Sequence, residues 1–316
     1  MKVFVTGITG FIAEGLVPAL QAKGHEVSGL VRYVSTRDAH ALEEMLPGVE
    51  IHFGDMTDPD SLETALQRAK PEAIINMAAQ TSVEYSFQHL KEIYDVDFIG
   101  TVNLSLAAKK VLPDLQKFVQ ISSVETYGNQ KQLPLREDMK LAPAAPYGVA
   151  KAAGEYHLNY LFDAFAFPAV ILRNANSYGR KRNKNFVVEH IIANLLGNQK
   201  EVKMGNRDAQ RDFYYIDDEV DFFVKALELA PPGETINSGT TYPISIGELY
   251  EMLEETLGIH KTVRWNSFSP RANEIRILTM DISKAKVLLD WEPKTPLDEG
   301  LKKTAEYWQG IRVGPY

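Results

Sequence analysis

The chain contains no cysteine among its 316 residues. Disulfides, thiolate nucleophiles and Cys-based zinc sites are thereby excluded. Its seven histidines are scattered, with no His-x-x-x-His pair, so no metal site is expected. There is no basic run, and a net charge of -8 argues against general binding to nucleic acid. No apolar stretch approaches the roughly 20 residues of a transmembrane helix. Met1 to Gly7 enters a strand pattern directly, without the apolar core and cleavage site of a signal peptide. These absences predict a cytoplasmic chain with no membrane partner. The remaining composition, 45% hydrophobic and 24% charged, is that of a globular protein with one large or two modest cores.

Strand and helix patterns alternate along the first half. Short apolar runs at Lys2 to Thr6, Glu26 to Val31, Val49 to Phe53, Ala73 to Asn76, Lys117 to Ile121 and Ala169 to Leu172 predict strands. Helical periodicity lies between them, at Phe11 to Lys23, Asp60 to Ala69, Ile93 to Val111 and Tyr147 to Phe165. Near-continuous apolar strands separated by helices predict an α/β fold, a doubly wound parallel sheet with helices on both faces. After about Arg173 the pattern loosens, and Pro, Gly and Asn become more frequent. This change predicts a smaller C-terminal α/β domain. The expected division is 1–172 with about 213–239 for the first domain, and 173–212 with 240–316 for the second.

The first turn reads Gly7-Ile-Thr9-Gly10-Phe11-Ile12-Ala13. It follows a strand and opens a helix, the setting in which glycines let the backbone approach a pyrophosphate at a helix N-terminus. The spacing is Gly-x-x-Gly-x-x-Ala rather than Gly-x-Gly-x-x-Gly. At the end of the second strand, an acid would bind the ribose of NAD. This chain has Arg32 there and no acid until Asp38. A guanidinium suits a 2'-phosphate, so NADP is expected ahead of NAD. Gly54-Asp55-Met56-Thr57-Asp58 and Asn76-Met77-Ala78-Ala79-Gln80 fall at the carboxyl ends of the next strands, where such sheets place ligands. Asp55 is a candidate acceptor for an adenine amino group, and Ala78 and Ala79 leave room for a cofactor against the backbone. Either segment also reads as a well-capped turn.

Tyr147 and Lys151 stand four apart in Tyr-Gly-Val-Ala-Lys, with Ser123 upstream. A phenol with a pKa of about 10 is only roughly 0.1% ionised at neutral pH. Residues i and i+4 share one helix face, so the ammonium is expected beside the phenol, lowering its pKa. The pair predicts proton transfer to or from a hydroxyl group.

Taken in order, these segments resemble the extended short-chain dehydrogenases/reductases, the nucleotide-sugar epimerases and dehydratases. The resemblance rests on the glycine turn, Gly54-Asp-Met-Thr-Asp58, Asn76-Met-Ala-Ala-Gln80, Ser122-Ser-Val-Glu-Thr-Tyr-Gly128 and Tyr147-x-x-x-Lys151. In the second half, Arg173-Asn-Ala-Asn176-Ser-Tyr-Gly179, Arg211-Asp-Phe and Arg271-Ala-Asn-Glu274 continue it. It implies a Rossmann-type domain holding NAD(P) and a smaller domain holding a nucleotide-diphosphate sugar. Gly7, Thr9, Gly10, Phe11, Ile12, Arg32, Asp55, Met56, Ala78, Ala79, Gln80, Tyr147 and Lys151 would hold the cofactor. Ser82, Asn176, Arg211, Arg271 and Glu274 would hold the substrate, the arginines suiting phosphate geometry. The long helices imply a homodimer or homotetramer.

Within the family, Arg32, Gly54-Asp-Met-Thr-Asp58, Ala79-Gln80, Asp95-Val-Asp97 before Ile99-Gly-Thr101 and above all Glu125 resemble the GDP-mannose 4,6-dehydratase branch. That branch carries Thr where this chain has Ser123, and Gly179-Arg-Lys-Arg-Asn183 matches it only loosely. The resemblance implies Ser123, Glu125, Tyr147 and Lys151 as the catalytic set of a 4,6-dehydratase, with a 4-epimerase or 4-keto reductase as the alternative. Tyr214, Tyr215 and Trp265 are expected to serve core or lobe packing rather than as sugar platforms.

Overall fold

A computed structural model describes residues 1–33, 39–181, 183–268 and 273–310, without the side chains of 39–41. Asp38 and Arg271 lie outside the described residues. The central sheet has seven strands, all parallel. They are β1 (Lys2–Thr6), β2 (Glu26–Val31), β3 (Glu50–Phe53), β4 (Ala73–Asn76), β5 (Lys117–Ser123), β6 (Ala169–Asn174) and β10 (Thr235–Ser238). Their order is β10-β6-β5-β4-β1-β2-β3. Strand order reverses on either side of β1, so the carboxyl ends of β1 and β4 flank a crevice that no crossover covers.

A smaller sheet joins β7 (Asn176–Tyr178), β9 (Gln210–Tyr215), β11 (Pro243–Ser245) and β13 (Ile277–Leu278). Two further short strands, β8 (Glu201–Lys203) and β12 (Thr262–Arg264), pair in parallel. Trp291, Leu278 and Met280 from the C-terminal part enter the same apolar cluster as Val3, Val5 and Val119 of the main sheet. Tyr214 and Tyr215 are fully buried, and Trp265 packs edge-on against Tyr250.

Helix boundaries follow local chemistry. The helix Pro59–Ala69 starts with Asp58 accepting from the amides of Asp60 and Ser61, with Pro59 in the first turn. The helix Pro146–Phe165 likewise begins on proline. The expected single helix Ile93 to Val111 differs from the structure. An α-turn at Leu90–Ile93 widens into a π-helical segment at Tyr94–Ile99 before the α-helix Gly100–Val111. The wider turn carries the buried Asp97. No described helix is long and apolar enough to cross a membrane, and no group of metal-ligating side chains occurs among the described residues.

Candidate active site

The carboxyl ends of β1, β2, β4, β5 and β6 open onto a cleft of about 1300 Å³. Gly7, Thr9, Gly10, Phe11, Ile12, Arg32, Asp55, Met56, Ala78, Ala79 and Gln80 line one part of it. Ser82, Ser123, Glu125, Tyr147, Asn176, Arg211 and Glu274 line the rest. Of the expected site residues, Lys151 alone among those described sits behind the wall, 4% exposed.

The glycine turn has the shape a dinucleotide requires. Gly7 has φ +67, and a Cβ there would stand 2.9 Å from the Ala78 amide nitrogen. Gly10 N donates to Gly7 O at 2.9 Å and Ala13 N to Gly10 O at 3.1 Å, which curls the turn into the helix Ala13–Ala22. Ala78 N donates to Thr6 Oγ1, which donates to Asn76 Oδ1. This lock ties the β4 loop to β1 and leaves a backbone-walled cradle at a helix N-terminus, which fits a pyrophosphate. Arg32 is exposed at the cleft rim. Asp55 Oδ1 is engaged by the amide and hydroxyl of Thr57, so part of its chemistry holds its own turn.

At the other end of the cleft, Ser123 ends β5 and hydrogen-bonds the Tyr147 phenol. Gly148 lets the tyrosine's helix lie against the next turn, since a Cβ there would come within 2.6 Å of the Glu125 carbonyl oxygen. Glu125 N donates to Ser123 Oγ at 3.2 Å. Glu125 is 9% exposed and close enough for its charge to act on Tyr147.

The expected lowering of the tyrosine pKa is not what this arrangement does. Burial first, then Asp97 and Glu125, and Glu219 whenever it is ionised, push Tyr147 well above the usual phenol range, with the Ser123 hydrogen bond opposing them. Lys151 Nζ is 5.7 Å from the ring centre and donates to the Ile121 carbonyl at 3.1 Å. Burial also pushes Lys151 down, against the carboxylates of Asp97 and Glu155. Burial therefore sets the direction at the phenol, and the desolvated Lys151 does not reverse it. Asp97 is pushed up to about 6 by burial, with Lys151 opposing.

In the second half, Asn176 Nδ2 reaches Asp212 O at 3.4 Å, and Arg211 Nη1 holds Gln210 O at 2.8 Å. Sequence reasoning assigned no role to Asn174, Lys181, Phe186, Glu189 or Glu219, which also line this end. Asp97 was noted only within a motif. Apart from Phe186, their common signal is an ionisable or amide group at a position that folding buries, and no local pattern marks it.

The family model described as GDP-mannose 4,6 dehydratase matches residues 4–304. The chain belongs to the nucleotide-sugar epimerase/dehydratase family. A UDP-glucose 4-epimerase from Mycolicibacterium smegmatis is 33% identical over 98% of this chain and 99% of its own. Human GDP-mannose 4,6 dehydratase is 29% identical, covering 93% of this chain and 88% of its own. A Thermus thermophilus UDP-glucose 4-epimerase solved with NAD superposes with a TM-score of 0.88 at 26% identity, covering 98% of this chain and 99% of its own. The protein is thus an enzyme of a family that depends on a nicotinamide dinucleotide and includes both 4-epimerases and 4,6-dehydratases.

Proposed function

We propose that the protein is an NADP-dependent 4,6-dehydratase that converts GDP-mannose to GDP-4-keto-6-deoxymannose and water. Glu125 carries this reading: a carboxyl group, nearly buried, on the turn that follows Ser123 and within electrostatic reach of Tyr147. An epimerase that only inverts C4 needs no second base.

When bound, the nicotinamide ring supplies the hydride acceptor for the sugar's C4 and the hydride donor for C6. Gly7, Thr9, Gly10, Phe11 and Ile12 would hold the diphosphate, with Met56, Ala78, Ala79 and Gln80 along the remainder of the dinucleotide. Tyr147, in its phenolate form, would take the proton of the C4 hydroxyl, Ser123 would hydrogen-bond the same oxygen, and Lys151 would offer its ammonium from behind. The ketone at C4 acidifies the proton on C5. Glu125 would remove that proton and pass it to the C6 hydroxyl, which leaves as water, and C5 would take a proton from solvent when hydride returns to C6. Asn176, Arg211, Arg271 and Glu274, in the part of the chain assigned to 173–212 and 240–316, would hold the sugar nucleotide together with Ser82 from the first part.

A second reading, a nucleotide-sugar 4-epimerase, is favoured by the Mycolicibacterium relative. Incubation with a panel of nucleotide sugars, with products read by mass, separates the two. Loss of one water from GDP-mannose supports the dehydratase, and an unchanged mass with altered stereochemistry supports the epimerase.

NADP is favoured by Arg32, exposed where the second strand meets the cleft. By calorimetric titration, wild type is expected to bind NADP more tightly than NAD, and Arg32→Asp to reverse the order. Wild-type preference for NAD would reject this assignment.

Assembly as a homodimer or a dimer of dimers is supported by apolar side chains left exposed on two helices. Ile99 and Leu106 lie on the π-helical and following α-helical stretch, and Val149, Tyr156, Tyr160 and Phe165 on the helix Pro146–Phe165. A subunit interface would cover side chains of this kind. Light scattering at micromolar concentration should give an even multiple of 35.4 kDa. A monomer mass contradicts it.

A further inference from the structure

The register that joins β5 to β6 pairs Ser123 with Asn174, and both residues line the cleft. Asn174 belongs to a closed ring of four contacts. Its Nδ2 donates to Glu219 Oε1 at 3.2 Å, and its Oδ1 accepts from Ser238 Oγ at 3.0 Å. Ser238 Oγ is 3.0 Å from the Tyr214 hydroxyl, which is 3.1 Å from Glu219 Oε1. All four residues are buried.

The ring has fewer protons than contacts when Glu219 is ionised. Asn174 supplies one amide hydrogen and Ser238 one hydroxyl hydrogen, and both are spent in the bonds just given. Tyr214 has a single proton and two oxygen neighbours. Whichever it serves, the other contact needs a proton that only the Glu219 carboxyl can carry. Turning the Asn174 amide over does not change the count, because its oxygen then faces Glu219 and needs the same proton. An ionised Glu219 would leave two oxygens opposed, lone pair to lone pair, away from water.

We propose that Glu219 is a neutral acid and a positioning residue: its proton closes the ring that orients Asn174 beside Ser123, and its neutrality keeps one negative charge away from Tyr147. The electrostatics agree. Burial pushes Glu219 up to about 7, against the opposing Ser177 hydroxyl, Lys181 ammonium and Tyr214 hydroxyl. Glu219 Oε2 has no hydrogen-bond partner among the described residues. Glu189 faces the same Lys181 from the helix Val187–Leu196, and Tyr147 faces Glu219 from the helix Pro146–Phe165. Once Glu219 ionises, its charge raises the phenol further. The proposal requires Tyr147 to handle a hydroxyl proton, which the dehydratase and epimerase readings share.

The test compares wild type with Glu219→Gln. The glutamine Nε2 hydrogens serve Tyr214 and the turned amide of Asn174, so the ring closes at every pH. In the wild-type-minus-variant infrared difference spectrum of the free protein, the carbonyl band of a protonated carboxylic acid is expected at about pH 6 and should be gone by about pH 8. Absence of the band at the lower pH overturns the proposal. Melting supplies a second reading. Because the folded pKa of about 7 lies above the ordinary 4.5, the contribution of Glu219 is full below the lower value and is lost as pH rises to the higher. Wild type should therefore lose melting temperature relative to the variant across that window, and a constant difference overturns the proposal.

With GDP-mannose as substrate, the variant-to-wild-type ratio of kcat should rise severalfold over the same pH range. An unchanged ratio overturns the link to Tyr147. Failure of wild type to convert GDP-mannose rejects that substrate assignment alone, since the infrared and melting readings use the free protein, and the ratio is then read with the sugar nucleotide that the mass panel identifies.

Discussion

Tyr147→Phe and Glu125→Gln are expected to stop the reaction at different points. Without its phenolic oxygen, Tyr147→Phe cannot take the C4 hydroxyl proton, so adding sugar nucleotide should give no absorbance from reduced dinucleotide. Glu125→Gln keeps Tyr147 and Ser123 and should still oxidise C4, so that absorbance should persist on the enzyme. It should release little 4-keto-6-deoxy product, with a deficit of about 10²- to 10⁴-fold, the usual contribution of a general base. The amide also removes one of the charges that hold the phenol high. C4 oxidation in Glu125→Gln should therefore need no higher pH than in wild type. Wild-type turnover in Glu125→Gln would withdraw the main residue-level support for elimination.

A second large effect is expected directly behind the site. Arg173, on β6, forks onto Glu155, with Nε at 3.1 and 3.0 Å from the two carboxylate oxygens and Nη2 at 2.6 Å from Oε2. Its Nη1 donates to the Tyr127 hydroxyl at 2.8 Å, and that hydroxyl donates to Asn237 Oδ1 at 2.7 Å. Ser122 Oγ donates to Glu155 Oε1. Both charges are buried, Glu155 at 0% and Arg173 at 5% exposed. Arg173→Met strands the carboxylate in the core and should cost about 3–5 kcal/mol of unfolding free energy. The double variant Arg173→Met/Glu155→Met removes both charges and should recover most of that loss. Urea melts of the three proteins read the difference directly. A double variant as unstable as the single one would mean that the network's geometry, not the stranded charge, sets the cost.

Much of this fold is legible in the sequence because parallel strands buried on both faces write continuous apolar runs. Lys2–Thr6, Glu26–Val31 and Ala73–Asn76 follow from those runs to the residue. β5 and β6 extend beyond their apolar runs, to Ser123 and Asn174, because polar residues at the carboxyl ends face the cleft rather than the core. The π-helical turn at Tyr94–Ile99 leaves no trace in apolar periodicity, since one added residue per turn shifts the pattern too little. The glycine turn and the Ser123, Glu125 and Tyr147 grouping are also readable, and the structure gathers them in one cleft.

What the sequence hides is the field at Tyr147. The i and i+4 spacing brings Lys151 near, yet the balance is set by burial, with Asp97 from a distant helix the largest of the charges and Glu219, when ionised, adding from the second half of the chain. Each is an ordinary acid in sequence, and only burial makes it count. The same holds for Arg173 and Glu155, which lie 18 residues apart and become a buried pair through strand and helix packing.

The central claim, elimination driven by Glu125, is tested most directly by turnover of GDP-mannose in deuterated water with the product read by mass and NMR. A carboxylate that removes the C5 proton exchanges it with solvent. The account predicts a product lighter by one water, with deuterium on carbon 5. An epimerised hexose of unchanged composition, carrying no carbon-bound deuterium, would contradict it.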